Sequence, residues 1–166
     1  AVVRAGTDIT VIAYSNMVHT ALDAAAILAD EGIDIEVVDL RTLAPLDMDT
    51  VRDSVARTRR AIVAHEAMLT GGLGSEIAAR INEDLFGKLL APVRRLATPD
   101  VVLPANVDLE RSLVPDTRAI AAAVHGVPTH SPEAEAEGHR DAPSPAPPGR
   151  RRLRTPRPPL LPARAA

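Results

Sequence analysis

The chain has 166 residues, a formal charge of −3, no cysteine or tryptophan, and a single Tyr and a single Phe. A length between roughly 100 and 200 residues points to one core, built here from Val, Ile, Leu and Ala. The absence of cysteine excludes disulfides and thiolate metal sites, and no apolar run approaches the ~18–20 residues of a membrane helix, so no membrane partner and a cytoplasmic location are expected.

In chain order, residues 9–14 (ITVIAY) form a short, nearly all-apolar run that suits a strand covered on both faces. Residues 17–30 then place Met17, Ala21, Ala24, Ala25 and Leu28 along one helical stripe, and Gly32 supplies the stop. Residues 33–40 (IDIEVVDL) read as a second strand. Pro45 and Asp47 mark the start of a helix that carries Met48, Val51 and Val55 inward. A third strand over 61–64 leads through Gly71, Gly72 and Gly74 into a helix over about 75–86, with Ile77, Ile81 and Leu85 on one side. Residues 93–97 predict a fourth strand, and Asp116 caps a last helix through Ile120 to Val124. Strands alternating with helices of this length imply an α/β fold: a three-layer open sheet, mostly parallel, with helices on both faces.

Beyond Gly126 the composition changes. Ten of the fifteen prolines and seven of the nineteen basic residues lie there, whereas the first 126 residues hold eighteen acids against twelve bases. One domain over 1–126 and a disordered Pro/Arg/Ala-rich tail over 127–166 are expected, because so few apolar side chains cannot offset the entropy of ordering. The Arg-rich run at 150–154 has no aromatic neighbours to stack on bases, so no nucleic-acid partner is expected. The tail's Ala, Pro, Arg and Gly bias also fits translation of a GC-rich stretch in the wrong frame. A start at Ala1 that enters a strand within ten residues adds the expectation of a fragment.

Ligands of open α/β sheets gather at the carboxyl ends of the strands, which selects the loops at 15–18, 41–47 and 65–74. In the third loop, His65 and Glu66 leave the strand together, and Gly71, Gly72 and Gly74 allow a close backbone approach before a helix amino terminus. GGLGSE lacks both the third glycine of the dinucleotide fingerprint and the lysine of the P-loop, so a plain helix-entry turn with Glu76 supporting the dipole is preferred to a phosphate cradle. His65 has the residue type of an acid or base near neutral pH, but a histidine that orders a loop or a subunit contact is the preferred reading. Adjacent on a strand, His65 and Glu66 should point to opposite faces and form no dyad. Arg41 is expected to join Asp39 and Asp47 in an ion-pair cluster rather than bind an anionic substrate. His19 is read as solvated or at an interface, and His125, His130 and His139 show no metal spacing.

The stretch GTDITVIAYSNMVHTALDAAAILADEGIDIEVVDLRTLAPLD, followed by VAHEAMLTGGLGSEIAARI, resembles the carboxy-terminal domain of the beta subunits of pyruvate and branched-chain 2-oxo acid dehydrogenases, a branch of the transketolase group. VVDLRTLxPLD, HEA and TGGxGxEI in this order and spacing carry the resemblance over residues 2–126, and TPDVVLP at 98–104 extends it. The resemblance implies a transketolase C-terminal-like fold and a part in oxidative decarboxylation of a 2-oxo acid, with acyl transfer to a lipoyl group. It implies thiamine diphosphate and magnesium in the complete enzyme, held by segments other than this one, and no cofactor, metal or catalytic residue on this chain alone. The implied partners are the alpha subunit and a second beta subunit of a heterotetramer, and the subunit-binding domain of the lipoyl acyltransferase. Arg41, His65, Glu66, Gly71, Gly72 and Gly74 are then loop or interface residues. Two alternatives stay open: the end domain of a transketolase or deoxyxylulose-phosphate synthase, and a free-standing α/β module for a small ligand or nucleotide.

Overall fold

A computed structural model describes residues 1–128; the expected tail, apart from its first two residues, lies outside them. The elements run β1 (Val2–Arg4), β2 (Ile9–Ala13), α1 (Met17–Asp30), β3 (Ile35–Asp39), α2 (Met48–Thr58), β4 (Ala61–Met68), α3 (Leu73–Leu85), β5 (Arg94–Thr98), α4 (Val107–Leu113) and α5 (Thr117–His125). The five strands are ordered β1-β3-β2-β4-β5. All pairings are parallel except that of β1 with β3.

All five residues of β2 are buried, as expected for the central strand of a sheet covered on both sides. Side chains alternate across it. Ile9, Val11 and Ala13 pack with Met17, Ala21, Ala24, Ala25 and Leu28 of α1 and with Ile120 and Val124 of α5. Ile12, with Val38 of β3 and Val63 of β4, packs on the other side against Val51 and Val55 of α2 and Ile77, Ile81 and Leu85 of α3. Alanines on the inner stripe of α1 let that helix lie close to the sheet. The chain crosses from β2 to β3 over the α1 face, and it returns across β2 to β4 and β5 over the α2–α3 face, so the three crossovers share one hand. The three-layer, mostly parallel architecture expected from the sequence is therefore present.

Three differences from the sequence reading have physical causes. β4 continues to Met68 rather than stopping at Ala64, because β5 gives it a partner: Met68 pairs with Thr98, and the Thr98 hydroxyl donates to the Glu66 carbonyl at 2.7 Å. His65 and Glu66 thus lie in a strand and not in a loop. β1 is only three residues long, too short for any periodicity, and it is tied down from outside when Asp39 N–H donates to the Ala1 carbonyl at 2.9 Å. α4 buries no residue, so burial of about 1.5–3 kcal/mol per large apolar side chain is missing from it; its cap is Asn106, whose Oδ1 accepts from the N–H groups of Asp108 and Leu109.

The amino edge is held by a buried polar group. Glu36, 2 % exposed, accepts from Arg57 Nη2 at 2.7 Å, and Thr10 and Thr58 share a hydrogen bond of 2.8 Å beside it. Nearby, the segment between β1 and β2 crosses directly over β3, and a Cβ on Gly6 would collide with the backbone of Ile35 and Glu36. Backbone cannot be moved aside as a side chain can. Gly6→Ala is accordingly expected to lower the free energy of unfolding by about 1–3 kcal/mol, the usual range for overpacking. A reduced urea midpoint at unchanged slope would show it, whereas an unaltered midpoint would mean that β1 is free to lift from β3.

Candidate functional site

At the carboxyl edge of the sheet, β2 and β4 are neighbours whose following segments part to opposite faces, α1 to one and α3 to the other. This is the topological switch point, where open α/β sheets carry their sites. Adjacent strands end there in matching ways. Ala13 and Asp39 are in register, and two residues beyond each stand Ser15 and Arg41, both non-glycine residues with positive φ, 58° and 57°. Such a conformation costs roughly 1–2 kcal/mol, so both turns are held by what surrounds them. At Arg41 the restraint is visible: its N–H donates to Asp39 Oδ1 at 2.9 Å, and its Nε lies 3.7 Å from Asp39 Oδ2.

The expected three-member cluster is therefore only a pair. Asp47 turns away to cap α2, accepting from Thr50 N at 3.0 Å and from the Thr50 hydroxyl at 2.6 Å. Those two bonds hold its carboxyl below the usual range, the hydroxyl contributing most. An N-cap outcompetes a distant arginine because Asp47 is already three residues from the donors that a new helix leaves unpaired.

His65 shares the sheet face of Ala61 and Val63 and lies fully buried beneath the first turn of α3. The glycines are explained by this ring. A Cβ on Gly72 would stand 2.7 Å from His65 Cε1 and would also meet the Met68 carbonyl, and one on Gly74 would overlap Nε2 and lie 3.3 Å from Val63 Cγ1. What the glycines admit is thus an imidazole, and the space a phosphate would need under the turn is taken. Only Gly71 is there for its own conformation, with φ 73° and open space around it. On its other side the ring stacks on Tyr14, centroids 6.0 Å apart and planes 7° from parallel. Neither Nδ1 nor Nε2 has a hydrogen-bond partner of normal geometry. Burial holds the imidazole below its ordinary range and the Arg95 guanidinium adds to this; the Ala67 backbone opposes both.

The turn itself is pinned from β5 and the segment after it. Arg95 Nη1 donates to the Leu69 carbonyl at 2.9 Å and to Ser75 Oγ at 2.6 Å, while Asp100 accepts from Thr70 N at 2.9 Å and from its hydroxyl at 2.6 Å. Neither Arg95 nor Asp100 stood out in the sequence, although an aspartate just after a strand is a common turn acceptor. Glu76, in the first turn of α3, pairs with Arg80 at 2.7 Å.

Glu66, on the opposite face from His65, is half-buried at the floor of a polar cleft of about 430 Å³. Asn16 and Thr20 form one wall, and Glu110, Arg111, Asp116 and Thr117 the other. Burial, followed by the Glu66 charge, raises the Tyr14 phenol. The α4–α5 wall escaped the sequence reading because α4 itself did. Among the described residues no group of three or more His, Asp or Glu side chains is placed to hold a metal ion. His19 is exposed, and His125 instead reaches Glu31 at 2.6 Å, tying α5 to the end of α1.

The family model described as "Transketolase, C-terminal domain" matches residues 1–120. The chain belongs to the transketolase C-terminal domain family. This transketolase C-terminal domain is 44 % identical over 126 residues to the pyruvate dehydrogenase E1 component subunit beta of Porphyra purpurea, covering 76 % of the chain and 38 % of that protein. It is 50 % identical over 101 residues to the corresponding subunit of Bacillus subtilis, covering 61 % and 31 %. A third relative, 44 % identical over 122 residues and 74 % of the chain, is the beta subunit of an acetoin:2,6-dichlorophenolindophenol oxidoreductase from Cupriavidus necator, 36 % of which is spanned. The domain therefore spans between 31 % and 38 % of these relatives' lengths. Among solved structures it resembles a "split gene transketolase, inactive beta4 tetramer", with TM-score 0.66 and 30 % identity over 76 % of this chain and 41 % of that one. The resemblance to dehydrogenase beta-subunit carboxy-terminal domains, read from VVDLRTLxPLD, HEA and TGGxGxEI together, holds.

In this transketolase C-terminal domain, Gly74→Ala is expected to destabilise more than Gly71→Ala, which pays only the roughly 1–2 kcal/mol of a left-handed residue. Adding His65→Ala to the Gly74→Ala background should recover part of the loss, since it removes the atoms that the new methyl meets. Thermal unfolding of the four proteins closes a double-mutant cycle; strictly additive effects would mean that ring and turn do not touch.

Proposed function

We propose that this chain is the assembly and docking domain at the carboxy-terminal end of a 2-oxo acid dehydrogenase beta subunit, with pyruvate the leading substrate class. The observation that carries the reading is identity of 44–50 % to pyruvate dehydrogenase beta subunits, confined to this one domain. In that role the domain joins an alpha subunit and a second beta subunit and helps seat the subunit-binding domain of the lipoyl acyltransferase. Exposed apolar residues support a surface meant for partners. Val101, Val102 and Leu103 after β5 and Val107 and Leu109 on α4 are all more than 40 % exposed.

Thiamine diphosphate supplies the chemistry of decarboxylation in such an assembly, with magnesium, and we assign its grip to the rest of the enzyme. His65 occupying the glycine turn supports that division, as does the use of Arg95 on Leu69 and Ser75. Arg41, Glu66 and the 71–74 turn are proposed as edge and interface residues of the complete enzyme.

Calorimetric titration of the purified chain with thiamine diphosphate and magnesium should give no binding heat. Saturable binding near one equivalent per chain would overturn the reading in favour of a free-standing ligand module. Sedimentation should in turn show self-association, and a compact monomer at high concentration would remove the docking surface.

A further inference from the structure

We propose that His65 is a pH-sensitive lock on the turn between β4 and α3, closed while the ring is neutral and released when it takes a proton. The lock is defined by contacts and depends on no assigned activity. The ring fills the space that Gly72 and Gly74 leave, it is fully buried, and both nitrogens lack a partner of normal geometry. A neutral imidazole tolerates this arrangement as a flat, mostly apolar filler; an imidazolium has two donors to satisfy and a charge to place, and the Ala67 backbone, which favours the charged ring, offsets only part of the cost of burial.

Among the described residues, none packed around it offers a free counter-ion. Tyr14, just after β2, presents an aromatic face, and Arg95 of β5 presents a second cation that already bridges Leu69 and Ser75. α3 presents its amino terminus, which disfavours positive charge, and its Glu76 is exposed and paired to Arg80. Glu66 on β4 points to the other face, and the Asp100 carboxylate is engaged by Thr70. The weak wall is the turn, where Thr70 and Gly71 are exposed, whereas β2 and β4 belong to the sheet. A proton from solvent can reach Nδ1 or Nε2 only as the turn opens.

The ring's ordinary value is 6.5, and its surroundings lower it. A lowered value in the closed form means that the contribution to closure is complete above 6.5 and declines as pH falls from there toward the closed-form value. Asp100, whose carboxyl is held below the usual range by Thr70, stays ionised through that window and cannot account for a change in it.

Hydrogen exchange of the full 166-residue chain, followed by mass spectrometry from about pH 7.5 to about pH 5 and corrected for intrinsic rates, should show residues 69–77 opening by up to about tenfold per pH unit below 6.5 relative to β2. His65→Leu and His65→Gln should flatten that profile, and His125→Ala, which removes the exposed histidine contact with Glu31 between α5 and α1, should leave it in place. A pH-independent turn in the parent protein overturns the lock, as does an equal response in the His65 variants. Should neither variant fold, the imidazole resonances of the parent decide: titration concerted with the 69–77 amides supports the lock, and titration near 6.5 with the turn still closed refutes it.

Discussion

The contact between the His65 ring and the backbone of α3 fixes how the carboxyl edge is built. In a parallel sheet a helix that follows a strand must fold back over it, and its first turn then lies above the strand's last residues. Most helix entries keep a side chain's width of separation there. Here the width is occupied by an imidazole, so the positions facing it can carry no Cβ, and Gly72 and Gly74 follow from His65 as a geometric requirement. Arg95 and Asp100 then press the turn onto the ring from the far side. The arrangement also separates the two sides of the edge: His65 is sealed beneath α3, and Glu66, one residue later, opens into the cleft toward α1 and α5.

Much of the fold was legible in the sequence because the helices and interior strands obey strong local rules. α1 runs over the same residues that the Ala-rich stripe and Gly32 delimit, and α2 starts at the cap that Asp47 provides. The weak points were edges. β1 exists through pairing with β3, and the last residues of β4 exist through pairing with β5, so both depend on partners far away in sequence. α4 is seven residues long with no buried face, and hydrophobic periodicity has nothing to detect in such a helix.

The candidate site was less legible for a different reason. The residue types were visible, and HEA with the glycine cluster drew notice, but a glycine in a sequence tells only that something comes close and not what. Phosphate and imidazole impose the same demand on the backbone. Only the three-dimensional placement distinguishes them, by showing the ring in the space. Arg41 illustrates the complementary case. Its charge invited a three-member cluster, yet Asp47 stood three residues from unpaired helix donors and the local bond prevailed over the longer ion pair.

Membership in the transketolase C-terminal domain family fixes a scaffold, and a scaffold alone fixes no chemistry. The chemistry must be read from the edge, where the ionisable side chains are each committed to holding the structure or lie apart from one another. Asp39 restrains Arg41, Asp47 caps a helix, Asp100 and Arg95 pin a turn, and His65 is walled off from any reacting group. Glu66 keeps a half-exposed carboxylate in a cleft with no histidine in its lining, and the nearby Tyr14 phenol is raised by burial and then by the Glu66 charge. An acid–base pair needs two groups whose values are set apart and whose atoms meet a common substrate. Here the two candidates, His65 and Glu66, face opposite sides of one strand, so the pleat keeps them from meeting a common substrate.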